Sequence, residues 1–227
     1  MNAEEIVSKL LYRDALMLVI DKPAGLPVHP GPKGGETLTH HLDALRFGLP
    51  RRPEAAHRLD KDTSGCLILG RHPKAIARLN ELFKKNEVDK VYWAVVEGGP
   101  PEDEGEIDLA LAPKSPDRGW WMKADPKGLP SLTKWRVLGR WEGMTLLELR
   151  PVTGRTHQLR VHCQASGWPI LGDPIYGSAP RFGGPGLHLH ARSVSVPLYP
   201  KKPPIAVEAP VPAHMQAAIV TLYREGH

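Results

Sequence analysis

Residues 15–21 (Ala-Leu-Met-Leu-Val-Ile-Asp) are apolar at consecutive positions up to Asp21, the pattern of a strand buried on both faces. The turn signal Lys22-Pro23-Ala24-Gly25 closes it. Two further strands are predicted at 66–70 and 91–97, the second rich in β-branched and aromatic side chains. Between them, 74–87 puts Ile76, Leu79, Leu82 and Phe83 on one face with lysines opposite, which predicts an amphipathic helix. The stretch 98–106 is acidic and breaker-rich and reads as a surface loop. Strands follow near 132–138 and 144–150, then a helix over 156–166 stopped by Gly167, a residue favoured just past a helix end. The stretch 179–186 (Ala-Pro-Arg-Phe-Gly-Gly-Pro-Gly) is another loop. Strands outnumbering helices, with both hairpin and helical connections, predict an α+β protein: a mixed, largely antiparallel sheet with helices packed on it.

At 227 residues with no convincing linker, the chain is expected to form a single domain, residues 1–227. Hydrophobic residues at 41% and charged residues at 24% exclude wholesale disorder. No run of eighteen apolar residues exists, and Glu4, Glu5, Lys9, Arg13 and Asp14 interrupt any signal core. Cys66 and Cys163 are too few for a disulfide framework, so a soluble cytoplasmic protein is expected. The net charge of +5 is unevenly placed: −1 over 1–50, +3 over 51–100, −1 over 101–150 and +4 over 151–227. Brought together, the two basic segments would make a polyanion-binding face; apart, they would only solvate a surface.

Two polar clusters could carry chemistry. The first is His57-Arg58-Leu59-Asp60-Lys61-Asp62-Thr63-Ser64-Gly65, directly before a strand. Asp60 there could serve as nucleophile or general base, with Arg58 and Lys61 beside it. The alternative is a hairpin loop whose Asp, Thr and Ser bond to their own backbone, with Arg58 paired to Asp62 or Glu54. The second cluster is Gly154-Arg155-Thr156-His157-Gln158-Leu159-Arg160-Val161-His162. On a helix it sets His157 and Arg160 on one face, though a solvated helix start would look the same.

Taken in order, these stretches resemble the RluA-type pseudouridine synthases over residues 15–210. Asp21-Lys22-Pro23-Ala24-Gly25-Leu26-Pro27-Val28-His29-Pro30 is similar to the family's opening motif, and His57-Arg58-Leu59-Asp60 with Thr63-Ser64-Gly65 to its catalytic motif. Lys90-Val91-Tyr92-Trp93-Ala94 resembles the motif that carries an active-site tyrosine. The Gly154 cluster resembles a third, and Leu189-His190-Ala191 a short final one. The resemblance implies the pseudouridine synthase catalytic fold, with Asp60, Tyr92 and Arg160 catalytic and Arg58, His57 and Leu189 in substrate binding. In this reading Asp60 is the essential carboxylate at the sugar, and Arg160 pairs with it and keeps it ionised. Tyr92 offers the uracil a flat face and a hydroxyl. With about fourteen residues ahead of the first strand, a short member without an accessory RNA-binding domain is expected.

The implied reaction breaks a carbon–nitrogen glycosidic bond, turns the uracil and forms a carbon–carbon bond, so no cofactor is needed. The expected partner is structured RNA, ribosomal or transfer, bound by a monomer with no membrane and no obligatory protein partner. The target base must leave its stack, and the planar cation of Arg58 is the candidate to help extrude it. Eleven histidines invite a metal reading, but His157 and His162 are five apart and no CxxC or HExxH accompanies them, so no metal is expected. A nucleoside glycosidase using Asp60 would need a second placed acid, for which only Asp62 is near. A catalytically silent RNA-binding module would be expected to have lost Asp60, Tyr92 or Arg160.

Overall fold

The structure, a computed structural model, describes residues 1–31, 34–115 and 121–225. In chain order its first elements are α1 (Ala3–Ser8), β1 (Leu10–Arg13), β2 (Met17–Lys22), β3 (Glu54–Ala55), β4 (Ser64–Gly70) and α2 (Pro73–Lys84). Then come β5 (Asp89–Glu97), β6 (Glu104–Asp108), β7 (Leu111–Pro113), β8 (Met122–Ala124), β9 (Leu132–Trp141) and β10 (Met144–Pro151). The last are α3 (Gln158–Ala165), β11 (Leu189–Val196), β12 (Ile205–Glu208) and α4 (Ala213–Glu225). The α+β class is as expected. The chain divides into two compact units, Met1–Lys90 with Ala191–Pro210, and Val91–His190 with Val211–His227. No helix among the described residues is long and apolar enough to cross a membrane.

In the first unit the strand order is β1-β2-β4-β11, with β12 paired to β11 and β3 to β4. The antiparallel β2–β4 register sets Ile20 opposite Leu67 and Lys22 opposite Gly65. Alternate residues Met17, Val19, Cys66 and Ile68 join Leu79 and Leu82 of α2 in one buried cluster, completed by Val194, Val196 and Val207. The intervening Leu18, Ile20, Leu67 and Leu69 are also fully buried, which is why 15–21 and 66–70 read as uninterrupted apolar runs. Helix α2 starts where His72 caps it, the ring Nδ1 accepting from the Ala75 N–H at 3.2 Å, with Pro73 at the first helical position. Gly65 is required: its φ is +106° and a Cβ there would collide with the Ala191 carbonyl of β11.

In the second unit β5, β10, β9 and β6 form an antiparallel sheet in that order. Ala94 and Val96 of β5 face one way, into a cluster with Leu159 and Cys163 of α3, Leu147, Leu149 and Trp168. Val95 faces the other way, with Leu146 and Met215, Ile219 and Leu222 of α4. The loop expected over 98–106 is shorter, because its last residues belong to β6. There Glu104 pairs across from Arg136 and Glu106 from Lys134, and these opposite charges suit strand neighbours. The helix expected over 156–166 begins only at Gln158, because His157 is left-handed (φ 52°) and ends the preceding turn.

Candidate active-site residues in the two units

The first-unit loop between β3 and β4 carries His57, Arg58 and Asp60. His57 is half-buried, stacked on Phe83 of α2 with ring centres 4.6 Å apart, and its Nε2 accepts the Ile68 N–H of β4 at 3.0 Å. Burial, with the charge of Lys90 adding to it, pushes this imidazole down to about 3, so the ring is neutral and its acceptor role is stable. Arg58, next to it, is exposed and has no ion pair or hydrogen bond among the described residues; neither Asp62 nor Glu54 holds it. Asp60 is half-buried and closes a turn, its carbonyl accepting the Thr63 N–H at 3.2 Å. Thr63 is itself buried, and its hydroxyl has no hydrogen-bond partner among the described residues.

One residue of this site was noted only within a turn signal and the opening motif, with no role of its own. Lys22, at the end of β2, is 0% exposed. Its Nζ donates to the carbonyls of Pro23 (2.8 Å), Leu26 (2.9 Å) and Lys61 (3.0 Å), which uses all three ammonium protons. The Gly25 N–H also donates to the Lys61 carbonyl, at 2.9 Å. The turn after β2 and the Asp60 loop are therefore tied together around one buried ammonium. Burial lowers the Lys22 pKa to about 8, while Asp62, Asp60 and Asp21 pull it back up. The signal in the sequence was a lysine, after Asp21, at the end of an otherwise apolar strand.

In the second unit, Tyr92 of β5 lies opposite Leu149 of β10 and packs, half-buried, on the cluster of Ala94, Leu149, Leu159 and Cys163. Leu189 is a buried member of that same cluster, so it is core beneath the Tyr92 face. Arg160 of α3 is 3% exposed and gripped along one edge by Asp173: Nε donates to Oδ2 and Nη2 to Oδ1, both at 2.8 Å. Asp173 Oδ1 also accepts the N–H groups of Ile175 (2.9 Å) and Tyr176 (3.0 Å). Burial alone would raise the Asp173 carboxyl, but Arg160 and these two backbone donors hold it below its ordinary range.

The Tyr176 ring lies 5.2 Å from the guanidinium carbon of Arg160, and its hydroxyl bridges His157 Nδ1 (2.8 Å) and the Met122 N–H (2.9 Å). The left-handed His157 is thus held by a side-chain bond at the head of α3. Asp173 and Tyr176 were not among the expected site residues. Their signal was Gly172-Asp173-Pro174-Ile175-Tyr176-Gly177, two glycines bracketing an acid and an aromatic. Other rings are tied elsewhere: His162 to Thr133 Oγ1 and the Leu109 carbonyl, His188 to the Gly186 carbonyl, His214 to the Leu187 carbonyl. Among the described residues no three His, Cys, Asp or Glu side chains are grouped as metal ligands.

The first unit thus presents a half-buried carboxylate on a loop built around a buried ammonium, and the second presents an aromatic on a strand and a clamped arginine on a helix. Residues 16–165 match the family model of RNA pseudouridylate synthases. An uncharacterised RNA pseudouridine synthase of Zymomonas mobilis is 47% identical over 209 residues, 91% of this chain and 95% of that one. The ribosomal large subunit pseudouridine synthase C of Vibrio cholerae is 33% identical over 96% of this chain and 70% of its own length. Among solved structures, human RNA pseudouridylate synthase domain containing 4 superposes with a TM-score of 0.81 at 28% identity, covering 98% of this chain and 95% of that one. The chain belongs to the RNA pseudouridine synthases, isomerases that convert uridine in RNA to pseudouridine.

Proposed function

We propose that residues 1–227 serve as one catalytic domain that isomerises specific uridines in structured ribosomal or transfer RNA, in the cytoplasm, as a monomer and without a cofactor. Asp60 is the carboxylate that acts at the sugar carbon while the bond to ring nitrogen one breaks and the bond to ring carbon five forms. Tyr92, seated on an apolar floor that includes Leu189, gives the uracil a flat face and a hydroxyl for the proton that leaves ring carbon five. Arg160 pairs with Asp60 and keeps it charged, and Asp173 fixes the guanidinium's orientation. Arg58 is the cation that helps extrude the uridine, and His57 orients the loop carrying both.

The observation that carries this reading is Lys22. Burying an ammonium is costly, and a plain hairpin has no use for one. Here it joins the opening motif to the Asp60 loop through three carbonyls and sets a positive charge near Asp60 and Asp62. Relatives named as ribosomal large subunit pseudouridine synthases C and D favour ribosomal RNA as the substrate.

The test is Asp60→Asn, which keeps the shape and removes the charge. RNA carrying tritium at ring carbon five of uridine should lose it to wild-type protein and keep it with the variant, while RNA affinity stays within about threefold, under 1 kcal/mol. Appreciable release by Asp60→Asn removes the assignment. Carbodiimide mapping of pseudouridines in cells with and without the gene then names the RNA; sites missing from neither ribosomal nor transfer RNA would refute that part.

A further inference from the structure

The basic stretch 151–227 is only partly absorbed by the site above. From Pro174 to Val207 the chain contains no Asp or Glu, yet it carries Arg181, Arg192, Lys201 and Lys202. Part of this stretch is a loop with pinned ends. The His188 N–H donates to the Leu171 carbonyl at 2.9 Å, and Gly172 lies so close to the Gly186 carbonyl that no side chain would fit. Between those ends Asp173 and Tyr176 anchor the start of the loop, and the tip, 179–186, projects. Closed-end loops of this size are compact surface features that frequently carry function.

The tip presents Arg181 and Phe182. Phe182 is 91% exposed, the most exposed large apolar side chain described. A single exposed apolar residue needs no explanation, but this one has cationic and aromatic company. The Arg181 guanidinium lies 5.9 Å from the Trp121 ring centre and the Lys114 ammonium 5.6 Å from the same centre. The indole thus gathers two cations whose charges repel, at a distance where the ring face attracts each of them. The nearby carboxylate of Asp125 is taken by Lys123 at 2.9 Å and by the Lys127 N–H at 3.0 Å, and Glu97 accepts from Ser178 at 3.2 Å at the base of the loop. No carboxylate pairs with Arg181 or Lys114 among the described residues.

An exposed aromatic ring beside two gathered cations is the chemistry that takes unpaired nucleotides: the ring stacks a base and the cations meet the flanking phosphates. We propose that Phe182, Arg181 and Lys114, organised on Trp121, bind an unpaired nucleotide of the RNA substrate outside the reacting uridine. This rests on the RNA-modifying function above.

The probe is a fluorescein-labelled twelve-nucleotide RNA of mixed sequence, used single-stranded and as its duplex, with binding read by anisotropy on the full chain. Phe182→Ala should weaken the single strand roughly five- to a hundredfold, the range of one lost base stack, and leave the duplex unchanged. Phe182→Trp should restore affinity and add tryptophan emission that single-stranded RNA quenches. Arg181→Ala should reduce the slope of log affinity against log salt by about one on the single strand. With Phe182 exposed, the thermal midpoint of every variant should match wild type. Unchanged single-strand affinity in Phe182→Ala, or an equal loss on the duplex, overturns the proposal. Tritium release by wild type separates the two readings: if it proceeds while Phe182→Ala binds normally, only this contact falls. If wild type releases none, the function itself falls.

Discussion

Lys22→Met tests whether the buried ammonium organises the Asp60 loop. The change keeps the length and apolar stem but removes all three donors, leaving the carbonyls of Pro23, Leu26 and Lys61 without this partner. Each hydrogen bond from a charged donor contributes roughly 1.5–3 kcal/mol, so the gross loss is about 5–9 kcal/mol. Against that, holding the charge in the fold lowers its pKa from 10.5 to about 8, a cost of about 3 kcal/mol at about 1.4 kcal/mol per pH unit. The net expectation is a destabilisation of roughly 2–6 kcal/mol at pH 7.

The pH dependence gives a sharper check. Because the folded-state pKa is depressed, the unfolded chain binds more protons between about pH 8 and 10.5, and stability rises with pH in that window. Wild type, which has the group, should therefore gain on Lys22→Met by up to about 3 kcal/mol as pH climbs from 8 to 10.5, read by urea denaturation at each pH. Parallel stability curves across that window would refute the buried, charged lysine. Turnover adds the functional half: Lys22→Met, assayed well below its urea midpoint, should lose rate far more than RNA affinity.

Three further outcomes follow from the arginines and their partners. Arg160→Met should lower single-turnover tritium release about a hundredfold or more with RNA affinity nearly intact, and Arg160→Lys should recover little because an ammonium cannot reproduce the fork onto Asp173. Asp173→Asn leaves a buried guanidinium without its counter-charge and should cost roughly 3–5 kcal/mol in urea unfolding at pH 7. The Asp173 carboxyl is held below its ordinary 3.8, so its contribution is complete above that value and fades as pH falls through the lower folded one; the deficit of Asp173→Asn should shrink there. Arg58→Ala should slow turnover on a well-stacked uridine more than on one loosened by a neighbouring mismatch, since unstacking costs a few kcal/mol and least for an unpaired base. Equal losses on both substrates would leave Arg58 a backbone contact.

The central strands and α2 were legible because burial on both faces of β2 and β4, and on one face of α2, writes itself directly into hydrophobic spacing. Elements held by other means were not. β6 is an acidic strand stabilised by basic residues on β9, which no local pattern shows. α1 is six residues long and depends on a reciprocal cap, Asn2 Oδ1 accepting the Glu5 N–H and Glu5 accepting the Asn2 N–H. The motifs placed Asp60, Tyr92 and Arg160 on a loop, a strand and a helix. What they could not show is partnership over distance: Lys22 reaching Lys61, or Asp173 gripping Arg160 from thirteen residues away. Spacing reports which face a residue shares, and a buried polar pair between segments leaves no such period.

The two arginines show how environment divides work within one residue type. Arg160 is immobilised: two bonds at 2.8 Å to Asp173 and the Tyr176 ring at 5.2 Å leave its guanidinium one orientation, the condition for a charge that must be in place before a reaction begins. Arg58 is exposed and held by no described partner, so its side chain keeps the rotamer freedom that Arg160 has lost. That freedom suits the extruding role proposed for Arg58 and would hinder the carboxylate-holding role proposed for Arg160. Exchanging the environments would defeat both proposed roles: an unclamped Arg160 would be free to be drawn away by RNA phosphates, and a clamped Arg58 could not reach them. Asp173 occupies one edge of the Arg160 guanidinium with both of its oxygens, whereas Arg58, Arg181 and Lys114 have no carboxylate partner among the described residues, which leaves those three cations available to the polyanion each is proposed to meet.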